Sequence, residues 1–374
     1  MTLSPSYSWP SSPCSTHLIK DKPWTALINH ELFKRVSFAV DLYSDQYILV
    51  AGGFRERVIL GSAGIYDIKT GTYDRLPNLP GPENNHDRCG GAILNGFFYV
   101  VSHGSVYRME LSSPRKKWKQ ISTAEFKLRR VEAVVSNERY LFAFNEKHNM
   151  KFDPERLEWN DLPGPLHRRC EFTCVGAEDN IYIIGGYASG NYLASVEKFH
   201  IPTSTWSEVP PLPQALVGSA AAYIRRRWIV VTGGYLSERE MSSKCYIFDT
   251  WTQKWTTNTL GLSPPRAFHC CIATSTGRHC QIISIGGKRR DRTVFSMKTI
   301  QTKLLIQNWD YIKHFVLLRE LVDRGRALPN LKPSIGPNFH NIDLEYLQED
   351  QDVIKRMITE LSSDMFRTIL TYLF

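Results

Sequence analysis

No stretch of this 374-residue sequence approaches the roughly 20 consecutive apolar residues that a membrane-spanning helix needs. The opening "MTLSPSYSWPSSPC" has neither the basic start nor the apolar run of a secretion signal. These absences lead to the expectation of a cytoplasmic chain with no membrane partner, the nucleus not being excluded. Cysteine patterning is missing as well. The eight cysteines (Cys14, Cys89, Cys170, Cys174, Cys245, Cys270, Cys271, Cys280) show no CxxC and no disulfide framework, which fits a reducing compartment. The net charge is +9, yet there is no long Lys/Arg run and no nucleic-acid-binding motif, so acidic proteins suit this charge better than nucleic acid does. GxSxG, Walker A and HExxH are all lacking, which removes the commonest routes to hydrolase, nucleotidase and metalloprotease chemistry.

What is present is apolar and periodic. Hydrophobic residues make up 42% and aromatics 12%, the composition of a folded chain. Gly pairs at Gly52-Gly53, Gly185-Gly186, Gly233-Gly234 and Gly286-Gly287 each close an apolar run: "YILVAGG", "IYIIGG", "WIVVTGG" and "QIISIGG". Two degenerate copies, "FFYVVSHG" and "YLFAFN", fill the long gap between the first and second pairs. The repeat marks then fall at 53, 104, 145, 186, 234 and 287. Steps of this size belong to propeller blades of about 40 to 50 residues.

Each of the first five repeats continues into a second strand signal that closes on an aromatic: Tyr73, Trp118, Trp159, Trp206 and Trp255. In four of them this aromatic follows the strand's Tyr or Phe by 7 residues. The logic is a four-stranded unit. Its innermost strand must be thin where the copies converge, and "GGAIL", "EAVVS", "FTCVG", "SAAAY" and "FHCCI" are small or narrow. The next strand, buried on both faces, reads as a continuous apolar run. Glycine at its end permits positive φ and close approach, and the exits "LPNLP", "LPGP" and "PPLP" place proline where no ladder N–H is required.

These Gly-Gly, Tyr and Trp marks resemble kelch repeats over about residues 17 to 300, with the second and third copies departing from the pattern. The resemblance implies an all-β fold, a six-bladed kelch-type β-propeller. A propeller must join its first and last blades or leave open edges. The sixth repeat runs from "RTVFSMKT" into "KLLIQNWDYIKHFVLLRELVDRG", whose apolar spacing is helical, so an outer strand is missing there. "PWTALI", about residues 23–28, supplies it as an N-terminal closing strand, with Trp24 as closing aromatic and Trp309 as the rival. The expected division is a disordered segment at 1–16, a propeller at 17–303 and a C-terminal α-helical extension at 304–374. Within the extension, "LSSDMFRTILTYL" is similar to the opening of an F-box, with Ser362 in place of the usual proline.

Strand parity puts the entrances of the inner strands and the loops between second and third strands at one end of the ring. Entrances carry Lys34 and Arg35, His86 and Arg88, Arg129 and Arg130, His167 with Arg168 and Arg169, and Arg266, while the fifth has Leu216. The loops add Phe54, Arg55, Arg57, Tyr187, Tyr235, Lys288, Arg289 and Arg290. Arg35, Arg88, Arg130, Arg169, Arg266, Arg55, Tyr187, Tyr235 and Arg289 are therefore expected to form a partner-binding face. Arg and Tyr are the residues that pair with carboxylates and dominate interface energetics. The resemblance points the same way, because several kelch propellers take acidic partner segments through blade-entrance arginines. It also implies two alternatives, a substrate-recognition subunit of a cullin-type ubiquitin ligase and a propeller enzyme acting on a sugar. No catalytic set and no cofactor is assigned: His269, Cys270, Cys271, His279 and Cys280 do not converge on a tetrahedral metal in a hairpin register.

Overall fold

The computed structural model describes residues 24–301 except 57, 82–85, 124–126, 129, 259–260, 275–280, 290–291 and 295. The expected segments at 1–16 and 304–374 lie outside the described residues, as does Trp309.

The small inner strands, the apolar second strands and the aromatic hairpins assemble into antiparallel sheets. Six sheets of four strands are present among the described residues, along with three two-stranded hairpins. The fourth shows the pattern: Thr173–Ala177, Asn180–Ile184, Val196–His200 and Thr205–Val209 pair in sequence order. The inner strands Ala39–Tyr43, Cys89–Leu94, Ala133–Ser136, Thr173–Ala177, Ala220–Ile224 and Cys270–Ala273 each contact the next, and the last contacts the first. The sheets therefore close into a propeller. A Cβ on Gly90 would lie 2.4 Å from Val134 Cγ2, and one on Gly91 2.7 Å from Ala39 Cβ, so the narrowness of these strands is a packing requirement.

Closure uses the N-terminus. Thr25–Asn29 pairs antiparallel with Ser296–Gln301, Thr25 opposite Thr299 and Asn29 opposite Ser296, with a bulge between Ala26 and Ile28. This places the strand expected at 23–28 on the outer edge of the sheet formed by the last repeat, with Trp24 buried beside it.

The seven-residue aromatic spacing has a direct geometric meaning. Tyr66 opposes Tyr73, Phe152 opposes Trp159, Phe199 opposes Trp206 and Phe248 opposes Trp255 across the outer hairpins. In the last three the ring centroids are 5.0, 5.0 and 4.9 Å apart. Asp67, Asp153 and Asp249 follow the first aromatic of their hairpins, and each accepts turn N–H groups through one carboxylate oxygen, which fixes the loop length between the paired rings. The tryptophans also tie sheets together. Trp118, Trp206 and Trp255 donate their indole N–H to the carbonyls of Pro77, Pro163 and Pro210 in the preceding sheet at 2.7, 2.8 and 2.7 Å. Each exit proline thus ends its strand and supplies the acceptor for the next sheet.

The Gly pairs form the second seam. Gly53, Gly186, Gly234 and Gly287 donate their N–H to the entrance carbonyls of His86, Leu216, Arg266 and Arg35 at 2.8, 2.8, 2.9 and 2.9 Å, always in the following sheet. The Gly287 bond joins the last repeat to the first. Both residues of every pair have positive φ. A Cβ on Gly185 would stand 2.5 Å from the Leu216 carbonyl oxygen, whereas one on Gly190, also at positive φ, would meet nothing. Gly190→Ala is accordingly expected to cost about 1 kcal/mol, the backbone penalty alone, and Gly185→Ala several times that. Chemical denaturation of the two variants checks the difference.

Candidate interaction face

Four isolated backbone bridges fix the geometry of one end of the ring: Val36 to Phe54, Cys170 to Tyr187, Val217 to Tyr235 and Ala267 to Lys288. Each joins the entrance of an inner strand to the residue just after a Gly pair. Entrances and second-to-third-strand loops therefore share this end.

The arginines of the entrances divide into two kinds, and this corrects their expected placement. Arg35, Arg169 and Arg266 each stand four residues before an inner strand and are 2%, 2% and 0% exposed. Their Nη1 groups donate to the first glycine carbonyl of their own Gly pair, on Gly52, Gly185 and Gly286, at 2.9, 3.1 and 3.1 Å. Arg35 and Arg169 reach the Ser62 and Ser195 carbonyls as well, at 3.0 and 2.8 Å, and Arg169 forms a buried ion pair with Glu197. Leu216 holds the equivalent place in the fifth sheet and is buried too. Burial lowers Arg35 and Arg266 to about 10, which leaves both charged at neutral pH. These three guanidinium groups clasp the Gly turns of their own sheets and are withdrawn from the face, because a buried carbonyl turn needs donors that the backbone does not supply.

Arg88 lies one residue before its inner strand, half-buried, with Nη1 2.8 Å from Glu132 and Nη2 3.8 Å from Glu171. The other Glu132 oxygen accepts the Glu171 N–H at 3.2 Å. Burial raises the Glu132 pKa against the pull of Arg88. Arg55 pairs with Glu31, and Lys34 with Glu56 at 3.0 Å. Arg130 and Arg289 are exposed, as is Arg168, and none of the three is within ion-pair distance of a carboxylate among the described residues. Arg57, Arg129 and Arg290 lie outside the described residues.

The aromatics separate in the same way. Tyr187 is exposed and meets Tyr192 edge-on at 5.8 Å. Tyr235 is half-buried, 6.1 Å from Phe268, and the Lys288 ammonium lies 5.6 Å from the Tyr235 ring and 4.7 Å from that of Phe268. Phe268, Glu132 and Glu171 were not assigned to the face from sequence. Their signal was positional, since all three immediately precede or nearly precede an inner strand.

Residues of all six inner strands enclose a central channel of about 440 Å³. Asp41 lies in its wall, one carboxylate oxygen accepting from Leu42 N at 2.7 Å and the other from Ile93 N of the next sheet at 2.6 Å. Burial raises its pKa to about 6, more than these two bonds lower it. His269, lowered to about 3 by burial and by Arg266, is neutral and contacts the Thr232 hydroxyl through Nε2 at 2.9 Å. Cys271 is also bonded to that hydroxyl and stands opposite Ser284, while His279 and Cys280 lie outside the described residues.

Comparison with known proteins gives a consistent picture. The KLHDC2/KLHL20/DRC7 Kelch-repeats domain matches residues 132–314. Human Kelch-like protein 23 is 26% identical over 45% of this chain and 32% of its own length. Kelch domain-containing protein 10 of Xenopus tropicalis is 25% identical over 62% of the chain and 51% of its own length. Human Kelch repeat and BTB domain-containing protein 13 is 31% identical over 19% of the chain and 16% of its own length. The chain thus spans about a third of Kelch-like protein 23 and half of Kelch domain-containing protein 10.

Two outcomes test these assignments. Replacing Arg169 by Met strands a buried carboxylate and is expected to cost roughly 3–5 kcal/mol, whereas Arg130→Met should change stability by less than about 0.5 kcal/mol; denaturant midpoints distinguish them. Folded Asp41 keeps its proton up to about pH 6, while the unfolded chain releases it near the ordinary value of 3.8. Its contribution therefore falls as pH rises through that window. The stability of the native chain relative to Asp41→Asn should decline between pH 4 and pH 6, as measured by urea unfolding at each pH.

Proposed function

We propose that this chain, a kelch-repeat β-propeller, is a protein-interaction module whose six sheets act as six blades and whose entrance face takes an acidic segment of a partner protein. What supports this reading is the set Arg130, Arg168 and Arg289, which are exposed and belong to the entrances and loops that also carry Tyr187 and Tyr235. Arg88 and Arg55 contribute less, because Glu132, Glu171 and Glu31 already oppose their charge. Arg35, Arg169 and Arg266 contribute through the shape of the loops they brace. Rim guanidinium groups of this kind accelerate association with acidic partners and weaken with salt.

A second reading, a substrate-recognition subunit of a cullin-type ubiquitin ligase, draws on the similarity to Kelch-like proteins and to a protein whose name includes a BTB domain. It is compatible with the first, since a substrate would occupy the same face. Retention of a cullin by the full chain in affinity capture favours it.

The test of the acidic-partner reading is a crosslinking pull-down from cells with the native chain and with Arg130→Glu, Arg168→Glu and Arg289→Glu combined. Captured protein is expected to fall by tenfold or more at an unchanged melting temperature, on the order expected from several lost charge pairs. Equal capture by the two chains removes the cationic face from the account.

A further inference from the structure

The third sheet is one of two whose repeat gives up its Gly pair, and an open groove of about 380 Å³ lies beside it on the entrance face. In the four sheets that keep a Gly pair the second glycine reaches forward to the next sheet. Asn145 holds the place of the first glycine, since Phe144 opposes Ala133 as Ile184 opposes Thr173, and like Gly185 it sends its N–H within its own sheet: that N–H goes to the His148 carbonyl at 3.0 Å, its Nδ2 to the Lys127 carbonyl at 2.8 Å, and its Oδ1 accepts from Lys147 N and His148 N.

Three cations, Lys127, Lys147 and Arg168, border the groove together with two carboxylates, Glu146 and Asp161. Lys147 and Arg168 are exposed. The Lys127 ammonium is held by both oxygens of Asp161, at 2.9 and 2.6 Å, and both partners of that pair remain solvent-accessible. Deeper in the groove is Asn149, 5% exposed, whose Oδ1 has no hydrogen-bond partner among the described residues. Gly164 packs beside this amide, where a Cβ would touch Asn149 Nδ2 at an ordinary van der Waals distance of 3.8 Å. A buried amide oxygen without a donor is costly unless something fills it.

We propose that this groove is the seat of an aspartate or glutamate side chain on the partner's acidic segment, with Asp161 as the internal group that it displaces. The inference rests on the acidic-partner reading and localises it. The incoming carboxylate takes over the Lys127 ammonium, Lys147 and Arg168 flank it, and a backbone N–H of the same extended segment completes Asn149 Oδ1. Such an arrangement selects a carboxylate that comes with a main-chain donor, which a free anion does not provide.

A short fluorophore-labelled, glutamate-rich peptide titrated into the full chain and read by anisotropy tests this. Lys147→Glu with Arg168→Glu is expected to weaken the probe roughly tenfold or more, Arg289→Glu to leave it nearly unchanged, and Asp161→Asn, which frees Lys127, to tighten it roughly threefold. Tightening by Asp161→Asn is a readout that a purely structural role for Asp161 would not give. If Asp161→Asn leaves the affinity unchanged, or the Lys147/Arg168 variant binds as the native chain does, the groove assignment is overturned. Loss of the probe on Arg289→Glu together with retention by the groove variant keeps the acidic-partner reading and moves the seat elsewhere. Absence of binding to the native chain overturns both.

Discussion

At four seams a carbonyl oxygen from one sheet is directed at a glycine pair in the sheet before it, so closely that a Cβ on the first glycine would overlap that oxygen or the side chain next to it. Much of the architecture follows from that approach. The pair must adopt positive φ, the entrance of the next sheet must run past it, and the first glycine's own carbonyl is turned inward and needs a donor. Arg35, Arg169 and Arg266 provide one, which is why a charged side chain four residues before an inner strand is buried and not displayed. The outer rim repeats the theme with different atoms, an indole N–H reaching back to a proline carbonyl. Inner and outer edges of adjacent sheets are therefore joined by hydrogen bonds that require particular residues, and apolar side chains fill the space between.

The repeat was legible in sequence because these constraints act on residue type. Gly-Gly, the aromatic pair seven residues apart and the Leu-Pro exits each mark a contact that tolerates little else. Parity was legible for the same reason, since strands alternate direction. The fate of the entrance arginines was not. Arg130 and Arg169 look alike in the sequence and differ only in their distance from the inner strand, three residues against four, which turns one guanidinium to water and the other toward the Gly185 carbonyl. Carboxylates were similarly hard to place. Glu132 and Glu171 meet Arg88 from two other sheets, at separations of 44 and 83 residues, and no local pattern announces that.

Electrostatically, the face is a mixture of opposed pairs with a few unopposed cations, and the distinction governs what it can do. A paired arginine exchanges one carboxylate for another when a ligand arrives and gains little. An exposed unpaired one gains the full contact, less the cost of ordering its side chain. The groove beside the degenerate third repeat has two of this second kind, Lys147 and Arg168, on its border. A repeat protein can give up the glycine bond at two seams when the remaining seams and the apolar packing keep the ring closed.

The closed ring is the central claim, and the amide of Gly287 reports on it most directly, because that N–H joins the last repeat to the entrance of the first at Arg35. Native-state hydrogen exchange resolved to this amide is the measurement. The account predicts that Gly287 exchanges as slowly as Gly186 and Gly234, through opening of the whole ring. Exchange at the rate of the open-loop Gly190, with Gly186 and Gly234 still protected, would mean that the first and last repeats are not joined.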